Sequence, residues 1–461
     1  MPELPEVETV LRTLEKQIKD CKIINIDILY PNIIEDNIDI FKSKLINNTF
    51  RNFKRRGKYL LFEMDDITLV SHLRMEGKYF IKDKDVPLTK HNHIVFYLDN
   101  NKKLIYDDVR KFGRMSLIEK DNLYENFHDL GPEPFWPKFN NNYVYKYLKN
   151  SNLPIKQELL NQSFVAGIGN IYADEICFAC KLNPKTISNR LNLQDCMNIV
   201  QNTRTILKHA IKKGGTTIRS YTSSLGVTGM FQFDLKVHTK DLCQECGNNI
   251  VKTRIGGRGT YYCPICQQNK IRIGITGTIG SGKSMTSAYI KDKGYTVFDC
   301  DEYNKSLLDN PNMYYLLGNR FSEAYIDGKI DKKALANIIF NNKKEKKALE
   351  YILHPLILDK LIEVANNNKI FFAEVPLMFE SGFNKYFDYI LLVESNKNVS
   401  IDRLKKYRGY TRKQAIERIN NQYNIKTKEK LSNEILYNNK SLNDLYKQID
   451  DFLGRLNEID K

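Results

Sequence analysis

At 461 residues the chain is long enough for two to four domains, because single hydrophobic cores stop growing beyond roughly 250 to 300 residues. Its 42% hydrophobic and 27% charged composition is that of a globular protein. No stretch approaches the roughly 20 apolar residues of a membrane span, and the acidic start "MPELPEVETV" is unlike a secretory signal, so the expected location is the cytoplasm, with no membrane partner. The formal net charge of +16 divides into +10 for residues 1–270 and +6 for residues 271–461, a spread excess that suits a polyanionic partner without demanding one.

After one opening helix, residues 1–130 alternate with period two through "YLLFEM", "ITLVSHL" and "HIVFYL", which predicts a β-rich domain. The proline-rich "GPEPFWP" (131–137) breaks the pattern, and the period becomes helical from 143 to 215, where Gly214–Gly215 ends an amphipathic helix. These helices and the Gly/Thr-rich loop that follows make a second domain, 131–235. A cysteine module occupies 236–269. From residue 271 to 461 strand, glycine loop, helix and strand succeed one another, the start of a parallel α/β sheet.

Three stretches carry chemistry on their own terms. Pro2 is compatible with removal of Met1, which exposes a secondary amine beside Glu3; an α-amino group is far less basic than lysine, so a useful fraction is nucleophilic at neutral pH. The spacing Cys243-x2-Cys246-x16-Cys263-x2-Cys266 is that of a four-thiolate zinc ribbon. One Zn²⁺ held this way is structural, because four thiolates leave no open coordination position. Between the two pairs "RIGGRGTYY" predicts a hairpin with Arg258 at a glycine-flanked tip, while Cys177 and Cys180, without a second pair, read as helix packing. Finally, Gly277-x4-Gly282-Lys283-Ser284 lies between a strand and a helix, the context of a phosphate-binding loop. Backbone amides from Gly277 through Ile279, Gly280, Ser281 and Gly282 cradle phosphates, Lys283 reaches the β and γ groups, and Ser284 holds the Mg²⁺ of ATP.

The set "MPELPEVETV", "RRGKYLLF", "SHLRMEGKY", "DDVRKFGRM", "LGPEP", "GIGNIYADEI", "GGTTIRSY" and the ribbon resembles the formamidopyrimidine-DNA glycosylases across residues 1–270. That resemblance implies a β-sandwich with helices, a helix-two-turn-helix α domain and a zinc ribbon. It implies a base-excision enzyme acting on duplex DNA containing oxidised purines (8-oxoguanine, formamidopyrimidine), followed by β,δ-elimination. It makes Pro2 the Schiff-base nucleophile, Glu3 the proton donor, Lys58 the group serving β-elimination and Arg258 the group serving δ-elimination. Met75, Arg110 and Phe112 match the side chains that fill the hole left by a flipped nucleotide. His91, Lys156 and Asn170 match phosphate contacts, the glycines of "AGIGNIYADE" admitting backbone amides to the same phosphates. Val109, Asn161, His238 and Ser151 depart from the family's usual residues, and the loop at 216–229 is expected to cover the flipped base.

The remainder resembles the dephospho-CoA kinases through the phosphate loop, "VFDCDEY", "HPLI", "AEVPLMFESG" and "DRLKKYRGYTRKQAIERINNQ". This implies an α/β P-loop kinase with a parallel sheet, taking ATP and dephospho-CoA as substrates. Asp301 is the implied general base, and Arg403, Arg408 and Arg418 are lid or phosphate candidates. No obligatory protein partner is expected. Two other readings differ in class: an ATP-driven DNA-processing protein, and a non-catalytic zinc DNA-binding module fused to a kinase. A separately started kinase is disfavoured, because no methionine lies between Met230 and Met285.

Overall fold

The computed structural model describes residues 2–119, 125–216 and 229–459, and it divides into two compact units, Met1–Gln268 and Asn269–Lys461. The opening helix, Leu4–Ile18, begins where the Glu6 carboxylate reaches back to the Glu3 N–H at 2.9 Å. Its Val7, Val10, Leu11, Leu14 and Ile18 join the core of a β-sandwich, whereas Leu4 belongs to the core of the helical domain. One helix therefore fixes its N-terminus at the junction of two cores.

Among the described residues the sandwich has β1 (Ile23–Ile28), β2 (Asn52–Arg56), β3 (Tyr59–Glu63), β4 (Ile67–His72), β5 (Lys78–Asp83), β6 (Asn92–Leu98), β7 (Lys102–Asp107) and β8 (Arg114–Glu119). They form two antiparallel sheets, ordered β1-β6-β7-β5 and β2-β3-β4-β8. The two-residue alternation expected of half-buried strands fails in β4, all six residues of which are buried. It is an interior strand of its sheet, and its outer face is covered in turn by a small cluster of Leu61, Val70 and Ile118 under Phe127.

The helical domain contains Asn141–Lys149, Ile155–Leu160, Asn170–Ala179 and Leu193–Lys212. Asn192 caps the last of these reciprocally with Asp195, and left-handed Gly214 and Gly215 follow its end. Cys177 and Cys180 are buried in this domain's core. The ribbon is a hairpin of β9 (Val251–Ile255) and β10 (Arg258–Tyr262), turned through Gly256 and Gly257 at positive φ.

The second unit is built on β11 (Ile271–Gly277), β12 (Thr296–Asp299), a short β13–β14 hairpin (Tyr325–Ile326, Lys329–Ile330), β15 (Ile370–Glu374), β16 (Tyr389–Glu394) and β17 (Glu434–Tyr437). The main sheet is parallel throughout, in the order β12-β15-β11-β16-β17, with apolar clusters on both faces. "HPLI" falls within the long helix Lys343–Asn366, where His354 meets the Phe383 ring edge-on. Among the described residues no helix is long and apolar enough to cross a membrane.

Candidate active sites

Pro2 and Glu3 are buried at the head of the opening helix. The Glu3 carboxylate accepts the amides of Ile171 at 3.0 Å and Tyr172 at 3.4 Å, so it caps the helix Asn170–Ala179. A Cβ on Gly169 would stand 2.3 Å from Glu3 Cδ, and one on Gly167 would stand 2.6 Å from Leu4 Cδ1. These glycines therefore serve the docking of the chain's own N-terminus, a role the phosphate-contact reading did not anticipate.

Glu6 lies deeper and had not been singled out. Its carboxylate accepts the Glu3 N–H, the Tyr172 hydroxyl at 2.7 Å and the Thr216 amide at 2.7 Å. Burial, then the charge of Glu3, pushes its pKa upward despite these bonds. Lys58 is 7% exposed, and burial lowers its pKa, opposed by Glu3 and Glu6 and assisted by Arg258. Residues from two distant stretches, the opening helix and the ribbon hairpin, thus act on one ammonium. His72, also absent from the sequence prediction, is drawn into the same neighbourhood: burial, Arg74 and Lys58 depress its pKa to about 4. Its Nδ1 accepts the Arg74 amide at 2.9 Å, which marks the ring as neutral.

Met75 and Phe112 are 39% and 47% exposed, and the Arg110 guanidinium lies 4.8 Å above the Phe112 ring. Exposed apolar side chains with a cation among them are suited to entering a base stack. Behind this loop Asp108 is fully buried and accepts the amides of Arg110, Phe112 and Gly113 at 2.9 to 3.0 Å. His91 is half-buried, and its carbonyl accepts the Asp108 amide.

Lys156 is not an open phosphate contact. It is 0% exposed, 2.7 Å from Asp174, and its Nζ donates to Gly259 O and Thr260 Oγ1, both at 2.8 Å. Asp174 also meets His238 Nδ1 at 2.7 Å, and Asn170 Nδ2 donates to Gly259 O at 2.9 Å. The pair therefore braces the hairpin that carries exposed Arg258. The loop expected over the base lies, at 217–228, outside the described residues.

The four predicted cysteine ligands converge: their Sγ atoms lie within 4.8 Å of one another, with Cys243 to Cys266 at 3.8 Å and Cys246 to Cys263 at 3.4 Å. Thiolates around Zn²⁺ at about 2.3 Å define a tetrahedron with edges of about 3.8 Å, so donor set and spacing fit one structural zinc.

In the second unit the phosphate loop leaves the carboxyl end of β11, and left-handed Gly282 (φ +104°) opens the helix Lys283–Asp292. A Cβ on Gly282 would meet Asn438 Nδ2 at 2.2 Å. Lys283 is buried and folds back on the loop, donating to Gly277 O at 3.1 Å and Thr278 O at 3.0 Å. Burial is the main reason its pKa falls to about 8, with Lys428 and Arg408 contributing. Ser284 Oγ donates to Glu374 Oε1 at 3.1 Å. That hydroxyl and carboxylate, at the end of the strand next to β11, form an oxygen pair fit to hold Mg²⁺, and Glu374 was missed in the sequence because its motif alone assigns it no role.

Asp299 and Asp301 divide their work. Asp299 caps the next helix, accepting the Asp301 and Glu302 amides at 2.8 and 3.0 Å. Asp301 keeps an exposed surface, while desolvation by the surrounding cleft and the charge of Asp299 raise its pKa. Arg403 donates to Ser281 O at 3.4 Å and to Asn438, whereas Arg408 is exposed yet acts on both Lys283 and Asp301. Arg418 is stacked 4.7 Å above Tyr410.

Family models match successive parts of the chain. Residues 1–115 match the formamidopyrimidine-DNA glycosylase N-terminal domain, 130–222 its H2TH domain, and 241–269 the zinc finger found in FPG and IleRS. The formamidopyrimidine-DNA glycosylase of Oceanobacillus iheyensis is 45% identical over 277 residues, 59% of this chain and 99% of the relative. That of Bacillus cereus is 43% identical over 273 residues, 58% of this chain and 99% of its own. The chain belongs to the formamidopyrimidine-DNA glycosylase family. Beyond that family's length, residues 271–444 match the dephospho-CoA kinase model, so the glycosylase carries a kinase domain and the chain is a bifunctional enzyme.

Solved Lactococcus lactis structures agree. The complex of that Fpg with DNA containing an abasic site superposes with a TM-score of 0.56 at 43% identity, over 58% of this chain and all of that one. A complex of its G226P mutant with Fapy-dG DNA gives the same figures. Within the glycosylase frame the departures are absorbed locally. His238 closes the Asp174 pair, Asn161 Nδ2 donates to Glu158 at 3.2 Å, Ser151 is buried against the same carboxylate, and Val109 is exposed.

Proposed function

We propose that the chain removes oxidised purines from duplex DNA and cleaves the resulting abasic strand, and that it separately phosphorylates the 3′-hydroxyl of dephospho-CoA. It takes its substrates from the cytoplasm, where DNA and coenzyme precursors coexist. The observation that carries the first activity is that the charges of Glu3, next to buried Pro2 in the chain, of Glu6 and of Arg258 all act on the desolvated ammonium of Lys58.

The Pro2 nitrogen forms a bond to C1′ as the bond to the base breaks, and Glu3 supplies the proton that lets the sugar ring open at O4′, leaving an iminium. Lys58, its basicity reduced by burial, takes the C2′ proton in its neutral form, and the 3′-phosphate leaves. Loss of the C4′ proton then expels the 5′-phosphate, with Arg258 beside the departing oxyanion. Met75, Arg110 and Phe112 fill the gap in the duplex, while Lys156 serves DNA indirectly by bracing the Arg258 hairpin.

In the kinase unit, Asp301 takes the proton of the acceptor hydroxyl as its oxygen bonds to the γ-phosphorus of ATP and the bond to the β–γ bridging oxygen breaks, releasing ADP. The raised pKa of Asp301 makes it the stronger base. Lys283 exchanges loop carbonyls for phosphate oxygens, and Arg403 and Arg408 neutralise charge on closure. Ser284 and Glu374 would hold Mg²⁺, which would neutralise charge on the phosphates.

Borohydride trapping on duplex DNA containing 8-oxoguanine tests the glycosylase chemistry. The intact chain is expected to form a covalent adduct and Pro2→Gly, which offers a primary α-amine in place of the secondary one, much less of it; an adduct of equal yield from Pro2→Gly would move the nucleophile elsewhere.

A further inference from the structure

Among the described residues two lysines are 0% exposed at the side chain, and their surroundings differ. Lys156 donates from its Nζ to Gly259 O and Thr260 Oγ1, although Asp174 Oδ1, 2.7 Å away, lies off the line of a hydrogen bond. Lys428, in the helix Ile425–Leu431 of the kinase unit, has its Nζ 3.1 Å from Glu380 Oε1, but off the line of a hydrogen bond. Neither that ammonium nor Glu380 Oε2 has a hydrogen-bond partner. Burying a charged donor in this state is costly, and a site evolved only for stability would resemble Lys156.

The location of Lys428 says what could satisfy it. Its neighbour Glu429 acts on Glu394, the last residue of β16, and the preceding Val393 is paired with Gly277 at the start of the phosphate loop. The helix thus lies at the carboxyl ends of the central strands, where parallel α/β sheets bind ligands. The segment before it is tied to the loop: Gln422 Oε1 accepts the Ile279 amide at 2.9 Å, and the Tyr423 amide donates to Glu380 at 2.8 Å. Lys428 is also close enough for its charge to reduce the basicity of Lys283. Two buried ammonium groups therefore lie within electrostatic reach of one another near the carboxyl ends of the strands, an arrangement that a polyphosphate relieves.

We propose that Lys428 is a second phosphate-binding lysine of the kinase site, released from Glu380 to an oxygen of the ATP polyphosphate when nucleotide binds. The inference rests on the kinase reading above. It separates Lys428 from Glu380 functionally: the lysine is used in catalysis, and the glutamate is a place-holder for phosphate.

The test measures steady-state phosphorylation of dephospho-CoA and direct titration of ATP in the intact chain. Lys428→Gln is expected to lower kcat/KM for ATP about 100-fold, the scale of losing one charged donor to a transferring phosphoryl group, and Lys428→Arg to recover most of it. Glu380→Gln keeps the oxygen that accepts the Tyr423 amide, and is expected to hold kcat within about threefold while ATP binds no more weakly. A purely structural ion pair predicts equal losses in Lys428→Gln and Glu380→Gln, with the double variant no worse than either; that result, or Lys428→Gln activity within threefold of the parent, overturns the proposal. If Lys428→Gln unfolds, the isosteric Lys428→Met, which needs no counter-charge, is held to the same comparison. Were the parent chain to bind ATP but leave dephospho-CoA untouched, the substrate reading would fail on its own, and ATP affinity in the same variants would still decide the role of Lys428.

Discussion

Lys58 in the first unit and Lys283 in the second have both lost basicity to burial, yet the balance of charge around them differs. At Lys58 the charges of Glu3 and Glu6 oppose that loss and Arg258 adds to it. Lys283 rests on loop carbonyls, with Glu374 and Asp301 on one side and Lys428 and Arg408 on the other. Two carboxylates act on each lysine, but one cation opposes them at Lys58 and two at Lys283, a balance that suits a kinase substrate bringing several anions of its own. Desolvation is common to both, so the neighbours assign the work.

The comparison can be broken one unit at a time. The largest effect is expected from Lys283→Ala, which should reduce phosphorylation of dephospho-CoA by about 10²- to 10³-fold while leaving cleavage of 8-oxoguanine DNA intact; a parallel loss of DNA cleavage would show that the units share machinery. Cys263→Ser, which removes a fully buried zinc ligand, should cost DNA cleavage about 10- to 100-fold, because the ligands anchor the hairpin bearing Arg258, and should leave phosphoryl transfer unchanged. Zinc content and both rates, measured on the same sample, check it.

The smallest effect concerns pH. The His72 pKa falls from 6.5 to about 4 on folding, so the folded state binds fewer protons than the unfolded state over that interval. Its stabilising contribution is present above 6.5 and is lost as pH falls toward 4. This amounts to at most about 3 kcal/mol. His72→Gln should therefore flatten the stability profile of the first unit between pH 6.5 and 4, and an unchanged slope in denaturant unfolding would place the ring outside that interior.

Much of this was legible in the chain because the decisive groups sit in short local motifs. The cysteine spacing already specifies two turns that face each other, and the glycine loop specifies a strand end, a loop and a helix start. What local pattern could not show was which way a side chain points once distant segments meet. Lys156 reads as an exposed cation until Asp174 and the hairpin close over it. Gly169 reads as a phosphate approach until Glu3, 166 positions earlier, fills the space. Glu6, His72 and Glu374 owe their perturbed states to burial by elements remote in sequence, and Asp299 differs from Asp301 only because one of them caps a helix.

The central claim, two independent active sites on one polypeptide, is tested most directly by assaying a single purified preparation of the intact chain for both reactions, beside Pro2→Gly and Lys283→Ala. The account predicts that the parent cleaves 8-oxoguanine duplex and phosphorylates dephospho-CoA, and that each variant loses one reaction and keeps the other. A parent that lacks either activity, or a single substitution that abolishes both, would contradict it.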